Sequence, residues 1–150
     1  MAITKYNGKS VQELAAYTDS IRITHADLTA AATTQTITKT VKAGQQIRGV
    51  AFKVHTAFDG GATSALSLDV GDGVDADGYI DGEEIHADAT EVLFGPVLGG
   101  LLNGKTYAVD DTIDILFTAT GANVSVLEAG EVEILFNVIS LNDVSADFAG

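Results

Sequence analysis

From Asp19 onward, apolar and polar residues alternate almost one for one, the two-residue period of half-buried β-strands. Ile21 and Ile23 alternate with Arg22 and Thr24, and the run Thr34–Val41 sets Ile37 and Val41 among Thr and Lys, as an exposed strand would. Val50, Phe52 and Val54 share one face opposite Ala51, Lys53 and His55. Leu66, Leu68 and Val70 repeat the pattern, as do Ile113, Ile115 and Phe117. The last long run places Val132, Ile134, Phe136 and Val138 on one face, while its other face begins with Glu131 and Glu133 and turns apolar at Leu135 and Ile139. A cover over that second face is therefore expected, supplied by a neighbouring copy or by the chain's own N-terminal segment.

Turn signals separate the runs: Ala43-Gly44, Asp59-Gly60-Gly61, Asn103-Gly104, Thr120-Gly121 and Ala129-Gly130. Helical periodicity is confined to Ser10–Tyr17, where Ser10 and Glu13 have the spacing of a capping box and Val11, Leu14 and Ala15 share a face. That helix is at most about two turns long and needs tertiary support. Many strands, Gly-rich turns and no alternation of helix with strand predict an all-β, antiparallel β-sandwich. About eight strands in one domain suit a jelly roll. The expected organisation is an N-terminal arm with a short helix over residues 1–20 and a single sandwich over 21–150.

Composition narrows the function classes. The 150 residues include no Cys, which removes disulfides, thiolate metal sites and cysteine nucleophiles. Eight Lys and Arg against 21 Asp and Glu give a net charge of −13, which repels nucleic acid rather than neutralising its phosphates. Trp is absent and aromatic residues make up 7%, which disfavours the stacking platforms of sugar-binding modules. The N-terminus lacks the apolar core of a signal peptide, and no apolar run approaches a membrane span, so a soluble chain made without a secretion route is expected.

The chemistry-bearing residues gather in one loop. Placing Gly78 at the sixth position of an EF-hand frame puts Asp75, Asp77, Asp81 and Glu84 at ligand positions and Ile80 at the apolar one. The frame fails at its first position, which is Gly73, with Asp72 one residue out of register, and its flanks are strands instead of helices. The loop Gly73–Glu84 therefore reads as a solvated acidic turn, with a non-EF calcium loop as the alternative. His25, His55 and His86 fall on separate strands without metal-ligand spacing and read as surface residues. Gly104-Lys105-Thr106 has the end of a phosphate-loop pattern but no upstream glycine at the needed distance, and Asn103-Gly104 reads as a type I′ hairpin turn. Val97–Gly104 is a Leu/Gly connection too short for a membrane helix. No catalytic, cofactor-binding or metal residue is assigned.

The order of a strand, Ala57–Ala62 (AFDGGA), a second strand and Val70–Ile80 (VGDGVDADGYI) is followed by a late hairpin from Thr112–Gly121 through Glu128–Ile139. This arrangement, spanning roughly residues 43–140, resembles small virion structural proteins of tailed bacteriophages, the capsid decoration or cement proteins of jelly-roll type. The resemblance implies a non-enzymatic protein without cofactor, located on the virion, bound to the major capsid protein on the outer surface of a phage head and stabilising it. It implies a homo-oligomer, a trimer at three-fold positions, with no nucleic-acid or membrane partner. The alternatives are a calcium-dependent or carbohydrate-binding sandwich module, a tail or fibre component, and a cupin-type metalloenzyme, for which three scattered histidines are a poor fit.

Overall fold

The computed structural model describes residues 17–87 and 104–143 together with the backbone of three short strands, Lys5–Tyr6, Lys9–Ser10 and Phe94–Pro96. In chain order the strands are β1 (Lys5–Tyr6), β2 (Lys9–Ser10), β3 (Asp19–Thr24), β4 (Thr34–Val41), β5 (Gln45–Asp59), β6 (Ala65–Asp72), β7 (Ile80–Glu84), β8 (Phe94–Pro96), β9 (Lys105–Thr106), β10 (Asp111–Thr120) and β11 (Ala129–Ser140). Single turns of 3-10 helix at His25–Asp27, Val124–Val126 and Leu141–Asp143 complete the described elements.

Eight of these strands form two four-stranded antiparallel sheets, ordered β3-β11-β5-β8 and β4-β10-β6-β7, with β9 also pairing along β5. Numbered by themselves in chain order, the eight run first-eighth-third-sixth in one sheet and second-seventh-fourth-fifth in the other. That interleaving is the jelly roll, in which successive strands, β6 and β7 excepted, cross from sheet to sheet. The all-β sandwich expected from the alternation is therefore the fold.

The core lies between the sheets and is built from the apolar positions of the alternation. Phe52, Leu68, Phe117, Ile134 and Phe136 are at most 1% exposed. Each fully buried side chain of this size contributes about 1.5–3 kcal/mol. Phe58 and Phe117 meet across the layers at 6.1 Å between centroids, tilted by 50°. The outer face of β11 is only partly covered: Leu135 and Ile139 are half-buried, and Ala51, directly opposite Leu135 on β5, is buried.

Some expectations meet a different local structure. Ala129-Gly130 reads as a turn, yet it opens β11 at a bulge. Gly130 holds φ of 137°, and a Cβ there would run into the Phe58 ring, so the glycine admits a core aromatic against the strand. Ser10, the expected helix cap, pairs with Lys5 between β1 and β2, and the Asn-Gly dipeptide separating those strands in sequence is a two-residue hairpin signal. Residues 11–16 of the expected helix lie outside the described residues, as do 97–103 of the Leu/Gly connection.

Candidate functional site

The acidic loop joins β6 to β7 at one end of the sandwich. It folds back tightly onto β6: the Asp72 N–H donates to the Asp75 carbonyl and the Tyr79 N–H to the Val70 carbonyl, each at 2.9 Å. Gly71 allows this return, because a Cβ at that position would collide with the Asp75 carbonyl and with Ala76. The Asp72 carboxylate caps the turn from inside, accepting the N–H groups of Val74 at 2.9 Å and Asp75 at 3.1 Å through Oδ1.

The second oxygen of Asp72 anchors a buried polar network. Oδ2 accepts from the Lys105 ammonium at 2.5 Å and from the Tyr107 hydroxyl at 2.9 Å. Since Tyr107 commits its proton to Asp72, the Tyr79 hydroxyl donates to Tyr107, at 3.0 Å. The Asp72 side chain is fully buried. Burial alone opposes its ionisation, but the bonds from Lys105, Val74, Tyr107 and Asp75 outweigh it and hold the carboxyl below its ordinary value. Both phenols move the other way. Burial first, then the neighbouring charge of Asp72, pushes Tyr79 up to about 12, although the bond to Tyr107 opposes this. Tyr107 is driven up by burial and by its bonds to Tyr79 and Asp72. Two protonated phenols and a carboxylate already neutralised by lysine offer neither a base nor a nucleophile. Their effect is to fasten β9 and the strand-like segment after it to the end of β6.

The remaining carboxylates form no single ligand set. Asp75 sits above its ordinary value, first because it shares a hydrogen bond with the Asp77 carboxyl. Asp69 is raised by burial against a bond from the Gly82 N–H, with Asp81 and Asp77 nearby adding repulsion. Glu84, the twelfth position of the EF-hand frame, braces the backbone instead, since its Oε1 accepts the N–H groups of Leu66 and His86, both at 2.9 Å. Asp81 and Glu84 stand three residues apart on β7. That is about 10 Å along an extended strand. The fold thus takes Glu84 out of the ligand set that the spacing brings together on paper. Among the described residues no group of three or more His, Asp or Glu side chains could hold a metal ion.

The histidines occupy three settings. His55 lies on the outer face of the β5 sheet, 2.9 Å from Glu133, whose other neighbour Arg22 also reaches Glu131 at 2.7 Å. The His55 bond, opposed by burial and helped by Arg22, holds Glu133 below its ordinary value. His25 borders a shallow open depression of about 400 Å³ lined also by Thr24, Thr56, Glu128 and Glu131. His86, expected on the surface, is instead 5% exposed. Its ring nitrogens have no hydrogen-bond partner among the described residues, and the Asp59 carboxylate lies 3.8 Å away. A parallel bridge to Phe58 draws it in between the ends of β5 and β7.

Sequence reasoning missed Lys105, Tyr107 and Tyr79 as the partners of Asp72. A signal existed: Lys105 and Tyr107 are two apart and share a face of an extended segment. The Gly104-Lys105-Thr106 triplet drew attention for its likeness to a phosphate loop, whereas Lys105 is committed to a buried carboxylate. Gly104 keeps the positive φ expected of a turn glycine, 87°, while Asn103 lies outside the described residues.

Fold and site together define a jelly-roll β-sandwich whose buried carboxylate, Asp72, is occupied in holding its own loops. No family model, no curated protein and no solved structure matches the chain.

Proposed function

We propose that this chain is a non-enzymatic structural protein of a phage virion, a decoration protein that binds the outer surface of the head through the major capsid protein and stabilises the shell. The observation that carries the reading is the jelly-roll strand order, with its buried Asp72, Lys105 and tyrosine network given over to fastening one end of the sandwich. A protein added to a finished particle needs rigidity, resistance to non-specific adhesion and a binding surface more than it needs a cleft. The packed core supplies the first, and a net charge of −13 the second. The likeness to decoration proteins adds the partner and the oligomeric arrangement, a trimer suited to three-fold positions.

The test is co-sedimentation with heads of the phage that encodes the chain, assembled without it. Binding to assembled heads but not to free capsid subunits, with a higher thermal midpoint for the decorated heads, is the expected result. Failure to bind heads at micromolar concentration overturns the proposal.

A further inference from the structure

Among the described residues the sheet β4-β10-β6-β7 has two free edges, and they differ. The β7 edge is five residues long, pairs with β6 through a register shift, contains Gly82 at φ of 63° and carries Asp81 and Glu83. Short length, irregularity and like charge are the devices that keep strand edges from pairing with other chains. The β4 edge lacks all of them. Its eight residues run in unbroken register with β10, without Gly or Pro, and among the described residues no strand lies against its other side. Its one charged residue, Lys39, is already engaged by Asp19 of the facing sheet at 2.7 Å.

Which backbone groups face outward follows from one bond. The Ala119 N–H donates to the Thr33 carbonyl at 2.7 Å, one step beyond the Thr118↔Thr34 pair. In an antiparallel ladder, residues bonded to the partner alternate with residues that turn away. Gln35, Ile37, Lys39 and Val41 therefore address β10, while Thr34, Thr36, Thr38 and Thr40 turn their N–H and C=O groups to the free edge. The same four threonines are exposed on the outer face.

We infer that this edge pairs with the β4 edge of a second copy, antiparallel and centred on Ile37. The strand is self-complementary in that register. Thr36 meets Thr38 of the other copy and Thr34 meets Thr40, and these pairs exchange the backbone bonds. Ile37, packed against the core, meets its own counterpart in a close non-bonded pair. Lys39 faces Gln35, so no like charges stand opposite each other. The next permitted register, centred on Thr38, would set Ile37 against Lys39. Charge on the strand itself does not oppose the pairing: β4 carries no Asp or Glu, and its one ammonium, Lys39, is paired within its own copy. The contact is two-fold and needs only a second copy, so it stands apart from head binding. A shell has local two-fold axes between its three-fold positions, and both contacts can operate on one particle.

The absence of native Cys makes a disulfide test clean. Ile37→Cys is expected to form a disulfide-linked dimer under mild oxidation. Thr36→Cys is expected to stay monomeric on the same gel, because its counterpart is displaced by two residues, beyond the roughly 7 Å reach of a disulfide. In sedimentation velocity, Thr38→Pro removes an outward N–H and should lower the mass of the associated species while far-UV circular dichroism is retained. Should Thr38→Pro fail to fold, the double variant Thr34→Glu, Thr40→Glu sets like charges opposite each other at both ends of the contact and should dissociate it. No preference for crosslinking at Ile37, together with a mass unchanged by these edge variants, overturns the inference. Because head binding is assayed separately, loss of this contact with head binding intact would leave the decoration reading standing.

Discussion

At the scale of single residues, Asp72 has the largest consequence. It is a buried carboxylate in contact with one ammonium, one phenol and two backbone N–H groups. Asp72→Asn keeps the shape but removes the charge that Lys105 and Tyr107 require, with an expected cost of about 2–3 kcal/mol at neutral pH. The folded-state pKa is depressed, so the stabilisation from ionised Asp72 is fully present above the ordinary carboxylate range and is lost as pH falls through the lower folded value. Urea unfolding of both proteins at about pH 7 and about pH 3 checks this: the gap in midpoint should be wide near neutrality and narrow in acid. A gap that does not change with pH would mean that the ionisation of Asp72 does not carry the effect. The sequence offered Asp72 only as a calcium ligand out of register. Its real partners lie 33 and 35 residues further on, and a long-range ion pair leaves no local pattern to read.

At the scale of elements, most strands were legible because burial imposes its own period. β4 and β10 follow the alternation closely, and the apolar residues of β5, β6 and β11 mark most of the buried positions there, Asp72 at the end of β6 being the main exception. Where the reading departed, a glycine served tertiary packing and not a turn. Gly130 is the clearest case, since Phe58, far earlier in the chain, decides that no side chain fits there. Gly130→Ala combines an unfavourable φ with a collision in the core and is expected to cost about 2–4 kcal/mol. Differential scanning calorimetry should register a midpoint roughly 5–15 °C lower for a domain of this size. The loop after β6 failed as a metal motif for a related reason: strand β7 begins at Ile80, and an extended backbone carries Glu84 away from Asp75 and Asp77.

At the scale of the whole molecule, the charge imbalance is the main physical fact outside the core. Carboxylates outnumber cations by 13, and several of those in the acidic loop repel one another. Screening should therefore favour compact and associated states: raising NaCl from about 20 mM to about 300 mM is expected to strengthen the self-association described above and to raise the thermal midpoint by a few degrees. Calcium offers a contrast, since Glu84 of the EF-hand frame is committed to backbone N–H groups. At equal ionic strength, about 1 mM CaCl₂ and about 1 mM EDTA should give thermal midpoints within about 1 °C of each other. A rise of several degrees in calcium alone would restore the metal-binding reading of Gly73–Glu84.

The strand order also sets a timetable. β11 lies between β3 and β5, and Thr18 bonds to Val138 across 120 residues of sequence. Until β11 arrives, β3 has no hydrogen-bonded neighbour in its sheet among the described residues, and β5 lacks the partner along most of its length. Nucleation must therefore close a long loop before it gains much, which places refolding in the millisecond-to-second range or slower. Stopped-flow refolding from urea should show that slow phase, and a fragment ending before Ala129 should fail to acquire cooperative unfolding. On the ribosome the same geometry leaves the edges of β3 and β5 without this partner until β11 has been made, the interval in which unpaired edges are most open to misassembly.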